Sequence, residues 1–122
     1  MSDNLENQFM MMMKMNKYRN KKVKVSGLTF DSKREYQRWR SLLFMEKSGL
    51  IEDLKRQVSF DLIPTLKYNG KTLRKIIYKA DFTYFENGKL IVEDSKGFQT
   101  PEFKIKHRLF LIKYPDHEFR IT

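Results

Sequence analysis

A chain of 122 residues with 40% hydrophobic content can bury one compact core, and it is too short for two ordinary domains. Twenty-five Lys and Arg against fifteen Asp and Glu give a formal charge of +10, which points to a polyanionic partner: nucleic acid first, an acidic membrane surface second. No apolar run approaches bilayer length, and zero cysteines with two histidines exclude disulfides and thiolate or nitrogen-rich metal sites. Any metal is therefore expected to be held mainly by oxygen. The acidic start, Met1-Ser2-Asp3-Asn4-Leu5-Glu6, is unlike a secretory leader, so a cytoplasmic location is expected.

Residues 1–21 are polar, then Met-rich from Met10 to Met15, and then basic. They are expected to form a flexible arm, with a Met-faced docking helix as the alternative. Residues 22–122 are expected to form a single folded domain. Between Lys14 and Lys24 six basic residues occur without an acid, which makes Lys21 and Lys22 candidate phosphate contacts or a merely solvated segment. Ser26-Gly27, flanked by Val23, Val25, Leu28 and Phe30, reads as a small hairpin. From Asp31 to Ser48 the apolar residues Tyr36, Trp39, Leu42, Leu43 and Met45 recur at helical spacing until Ser48-Gly49 stops them. Within this helix Ser32-Lys33-Arg34-Glu35 has the form of a capping box.

A first long strand is expected from Val58 to Tyr68, because apolar and polar residues alternate there up to Asn69-Gly70. Asn-Gly suits a two-residue hairpin, since both positions tolerate positive φ. A second strand is expected over Leu73–Phe85 and a third over Leu90–Lys96, after the turn at Asn87-Gly88. Thr100-Pro101-Glu102 opens a second helix, with Thr100 as cap and proline at the first helical position. Phe103, Leu109, Phe110 and Ile112 can face the core. Tyr114-Pro115 ends this helix, and Glu118–Ile121 forms a last short strand. The resulting fold is mixed α/β (α+β), in the order helix, three-strand antiparallel meander, helix, strand.

The meander brings Asp81, Glu93, Asp94 and Lys96 to one end of two adjacent strands. Carboxylates gathered on a sheet repel one another unless a cation neutralises them, which suggests a divalent metal. Alternation puts Asp94 and Lys96 on one face and Glu93 and Ser95 on the other. With Asp81 on the Asp94 face, the two aspartates can hold one Mg²⁺, the Ser95 carbonyl is a third candidate ligand, and Glu93 is the reserve if the pleat is bulged. Mn²⁺ is the expected substitute. Such an ion beside a lysine in a basic protein fits phosphodiester hydrolysis, with Lys96 orienting the attacking water or stabilising transition-state charge. A surface ion pair of Asp94 with Lys96, and a strand end at Asp81, are the bland alternatives.

The order of elements, with Lys79-Ala80-Asp81-Phe82, Glu93-Asp94-Ser95-Lys96-Gly97 and Thr100-Pro101-Glu102-Phe103 at their places in it, resembles the PD-(D/E)XK nuclease superfamily, the restriction-endonuclease-like fold. The resemblance covers about residues 22–122 and extends to small phage and prophage proteins of endonuclease or Holliday-junction-resolvase type. Ala80 stands where the superfamily's name-giving proline would be. The resemblance implies that Glu35 completes the site from the first helix, and that the protein is a metal-dependent endonuclease of phage DNA recombination, replication or packaging in a bacterial host, with branched DNA as one candidate substrate. A non-catalytic nucleic-acid-binding module of the same fold and an RNA-directed nuclease are the alternatives. Lys104, Lys106 and Arg108 after the site, and Lys71, Arg74 and Lys75 around the first Asn-Gly turn, are candidate phosphate contacts. Cutting both strands of DNA would favour a homodimer, although no segment declares an interface.

Overall fold

The computed structural model describes residues 22–122. The expectations for residues 1–21, including Lys21 as a phosphate contact, lie outside the described residues. The chain divides after Leu42 into two compact units.

In the first unit, β1 (Val23–Val25) and β2 (Leu28–Phe30) pair antiparallel, Val23 opposite Phe30, around the Ser26-Gly27 turn. Val23, Val25, Phe30 and Tyr36 form a buried cluster with Trp39 packed against it, and the Phe30 and Tyr36 rings meet edge-on at 5.3 Å. Tyr36 and Trp39 lie on α1 (Lys33–Lys47), three residues apart and so on one helix face. Ser32 caps this helix by accepting from the Glu35 N–H at 3.1 Å. Glu35 reaches back one residue further than a capping box requires, and its Oε2 accepts from the Asp31 N–H at 3.1 Å.

In the second unit, α1 ends where Leu50 N–H donates to the Met45 carbonyl at 2.9 Å and Gly49 N–H to that of Glu46 at 3.1 Å. Gly49 takes φ +78° there, as the terminating motif needs. A four-stranded sheet follows, in the order β3 (Glu52–Ile63), β6 (Ile76–Glu86), β7 (Lys89–Asp94), β8 (Glu118–Ile121). Its first three strands are antiparallel, and β8 joins β7 in parallel after α2 (Pro101–Lys113). Helix, antiparallel meander, helix and strand thus follow one another as expected.

Three strand boundaries differ from the sequence reading by three residues or more, and β7 ends at Asp94, short of the expected Lys96. The first long strand begins at Glu52 rather than Val58, because β3 is an edge strand whose charged side chains face water while its backbone pairs with β6. It also stops at Ile63, since Pro64 has no N–H for a sheet ladder. Leu66–Tyr68 and Lys71–Leu73 then form a separate two-stranded ribbon, β4 and β5, and the second long strand starts at Ile76 instead of Leu73. Both Asn-Gly turns have positive φ at both residues, +49° and +74° at Asn69-Gly70 and +53° and +78° at Asn87-Gly88.

The core of this unit is Leu62, Tyr78, Ala80, Val92, Phe103 and Phe110, with Phe60, Leu90, Leu109, Tyr114 and Phe119 packed against it. Thr100 caps α2 through its Oγ1, which accepts from Phe103 N–H at 3.1 Å. Phe103 and Phe110 are seven residues apart and share the buried face. Ile112 does not: it is 73% exposed, because two residues beyond Phe110 a helix has turned by about 200°. Among the described residues no helix is long and apolar enough to cross a membrane.

Candidate metal centre

Four consecutive residues of β7, Ile91 to Asp94, are buried, since the strand lies between β6 and β8 and both faces of the sheet are covered around it. Burial of two adjacent carboxylates on such a strand is costly unless each finds partners. Glu93 and Asp94 solve this separately, on opposite sides of the pleat. Glu93 accepts from the Tyr84 hydroxyl through Oε2 and from Thr122 Oγ1 at 3.0 Å through Oε1. Asp94 Oδ2 accepts from the Tyr78 hydroxyl. Its Oδ1 is buried without a hydrogen-bond donor and faces the Lys96 ammonium at 3.6 Å, an ion-pair distance too long for a hydrogen bond.

The strand is pinned at this point. Thr122 N–H donates to the Asp94 carbonyl at 2.9 Å, and Lys96 N–H donates to the Thr122 carbonyl at 3.1 Å, so the parallel strand β8 fixes the backbone on either side of Ser95. Phe82 pairs with Glu93, and one step along the antiparallel strands sets Asp81 opposite Asp94. Asp81 Oδ2 accepts from Ser95 N–H at 2.8 Å, which turns its carboxylate towards the Asp94–Lys96 segment. Burial, followed by the charges of Asp94 and Asp81, pushes the Tyr78 hydroxyl far above the usual phenol range, so it remains a donor. The Lys96 ammonium also lies 5.1 Å from the centroid of the Phe103 ring, an attractive position for a cation.

Asp81, Asp94, Ser95 and Lys96 are therefore brought together, and Glu93 is held apart from them by Tyr84 and Thr122. Glu35 and Asp31 belong to the first unit, where the Glu35 carboxylate accepts from the Asp31 N–H at 3.1 Å. Tyr78 was not anticipated from the sequence; its spacing of three from Asp81 carries no signal in a strand. The donors are all oxygen, and Asp94 Oδ1 is a buried anionic atom lacking a donor, so the residues fit a hard divalent cation such as Mg²⁺.

The candidate phosphate contacts divide by their partners. Lys104 and Arg108 are exposed on α2, while Lys106 pairs with Glu102 at 3.1 Å. Lys71 and Arg74 are exposed at the ribbon, while Lys75 pairs with Asp61 at 3.4 Å. Lys22 lies 3.9 Å from Asp31. Such exposed pairs are worth little and exchange readily for other anions. His107 stacks on Phe103 and lies 4.4 Å from the Phe119 ring; burial pulls its pKa down, and the nearby charge of Asp94 opposes that shift.

Fold and site together define a mixed α+β protein with a mostly antiparallel sheet and an acidic group suited to a metal ion. The chain belongs to the family described as Protein of unknown function (DUF1064), whose model matches residues 15–122. No curated protein and no solved structure matches the chain.

Proposed function

We propose that the protein is a metal-dependent endonuclease that hydrolyses phosphodiester bonds in DNA. The observation that carries this reading is Asp94: a buried carboxylate with one oxygen held by Tyr78 and the other lacking a donor, 3.6 Å from the Lys96 ammonium. A residue serving stability alone gains little from such an arrangement, because a buried acceptor without a donor is costly.

Asp81 and Asp94 would hold Mg²⁺ with the Ser95 carbonyl. When bound, the ion supplies polarisation of the phosphate and a water of lowered pKa. Ser95 N–H orients the Asp81 carboxylate, and Tyr78 fixes the Asp94 carboxylate so that Oδ1 remains the binding atom. Lys96, whose ammonium lies 5.1 Å from the Phe103 ring centroid, would orient the attacking water and offset negative charge that grows on the phosphoryl oxygens. The excess of positive charge, +10 overall, favours a polyanionic substrate.

The test is a cleavage panel of duplex, flap, fork and four-way-junction DNA with RNA counterparts, in Mg²⁺ and in Mn²⁺. Metal-dependent cleavage is expected, reduced at least about a hundredfold in Lys96→Ala, the scale of losing one electrostatic catalytic group, and abolished in Asp94→Asn. Cleavage that survives both substitutions rejects the site. Tight, salt-sensitive binding with no cleavage in any metal would leave a nucleic-acid-binding module instead.

A further inference from the structure

The ribbon formed by β4 and β5 plays no part in the core. All six of its strand residues are exposed, including Leu66 at 56%, Tyr68 at 65% and Leu73 at 49%. Its register pairs Leu66 with Leu73, Lys67 with Thr72 and Tyr68 with Lys71. Residues directly opposite each other share a face, so Leu66, Leu73, Tyr68 and Lys71 lie on one side of the ribbon and Lys67 and Thr72 on the other. One face is thus three large apolar side chains with a single ammonium at the tip.

A two-stranded ribbon is marginal by itself, and none of the strand residues of this one is buried. Its shape comes from the Asn69-Gly70 turn and from the Lys75 N–H, which donates to Thr65 Oγ1 at 3.2 Å across its base. The stretch from Leu62 to Ala80 contains Lys67, Lys71, Arg74, Lys75 and Lys79 and no acidic residue. Only Lys75 among these has an acidic partner among the described residues. An apolar and aromatic face set in unneutralised positive charge needs a partner that is both anionic and flat-faced.

We infer that the β4–β5 ribbon binds DNA at exposed, unstacked bases, with Tyr68 as the stacking platform, Leu66 and Leu73 as its apolar flank, and Lys67, Lys71 and Arg74 on the phosphates. The inference deepens the nuclease reading and rests on it for the choice of DNA. Fully stacked duplex hides the faces of its bases and offers the ribbon only phosphates and groove edges. Bases freed at a fork or a single-stranded arm present both the π-face that Tyr68 matches and the backbone charge that the cations match.

The test uses the full chain carrying Asp94→Asn, in EDTA, so that no cleavage intervenes. Fluorescence anisotropy compares a forked DNA with single-stranded arms, a fully paired duplex of equal length, and anionic phosphatidylserine vesicles. The fork is expected to bind more tightly than the duplex, and Tyr68→Ala is expected to weaken fork binding about tenfold while leaving duplex binding within about twofold. Lys67→Ala with Lys71→Ala is expected to weaken both DNAs and to flatten their salt dependence. Unchanged thermal melting of each variant separates loss of contact from loss of fold. Fork binding that is indifferent to Tyr68→Ala overturns the inference, as does vesicle binding that needs Tyr68 when fork binding does not. A failed nuclease reading looks different: the native chain cuts nothing in metal while the ribbon's preference for the fork persists.

Discussion

The Tyr78 hydroxyl donates to Asp94 Oδ2 from the adjacent strand, sixteen residues away in the chain. This bond decides which oxygen of Asp94 is committed and which is left to face Lys96. Tyr78→Phe removes the donor and keeps the ring packed on Phe103, Phe110 and Phe119. It is expected to cost about 1.5–3 kcal/mol, the scale for a hydrogen bond to a charged group. Urea unfolding measures this, and an unchanged midpoint would mean that the bond contributes nothing.

Metal binding should register as stability. A cation that binds only the folded chain stabilises it by about 2.7 kcal/mol at a hundred times its Kd, which raises the melting temperature by roughly 10 °C in a domain of this size. Mg²⁺ is expected to produce such a shift in the native chain, and Asp81→Asn is expected to remove it. EDTA should reverse it. A native chain whose melting is indifferent to Mg²⁺ and Mn²⁺ does not hold the ion.

Ser32 and Glu35 both serve the start of α1. Ser32→Ala deletes the acceptor for Glu35 N–H and is expected to cost about 1 kcal/mol of stability. Glu35→Gln keeps an acceptor for Asp31 N–H and is expected to change stability by less than that. Urea unfolding of the two variants checks this, and an equal loss in Glu35→Gln would mean that the carboxylate charge itself carries the cap.

His107 sets a pH trend. Burial lowers its folded pKa below the ordinary value of 6.5, so the unfolded chain takes up a proton at a higher pH than the folded one. Its contribution is intact above about pH 6.5 and is lost as pH falls through the depressed folded value. His107→Phe is expected to flatten the stability profile between pH 5 and pH 7, and urea midpoints across that range measure it. A mutant profile as steep as that of the native chain would assign the slope to other groups.

The elements were legible where the signal is local. Thr100-Pro101 starts α2, Ser48-Gly49 stops α1, and both Asn-Gly pairs turn the chain where positive φ is required. Boundaries failed where tertiary pairing overrides pattern. Glu52 to Gln57 has no apolar alternation, yet it is strand because β6 supplies the hydrogen-bonding edge. Leu73 continued an apolar run into Ile76, yet Arg74 and Lys75 separate a free ribbon from the sheet. Ile112 counted as core by composition alone, and the helix turned it outward.

Unaided, the amino-acid order determined the succession of helices and strands, the basic character of the surface, and the nearness in sequence of Asp94 to Lys96, because caps, turns and charge are properties of neighbouring residues. Tertiary structure decided that Asp81 leans on Ser95, that Tyr78 holds one oxygen of Asp94, and that Glu93 is taken by Tyr84 and Thr122. Those contacts depend on cross-strand register and on the parallel docking of β8, which set the direction of each carboxylate and leave no mark on the spacing of residues along the chain.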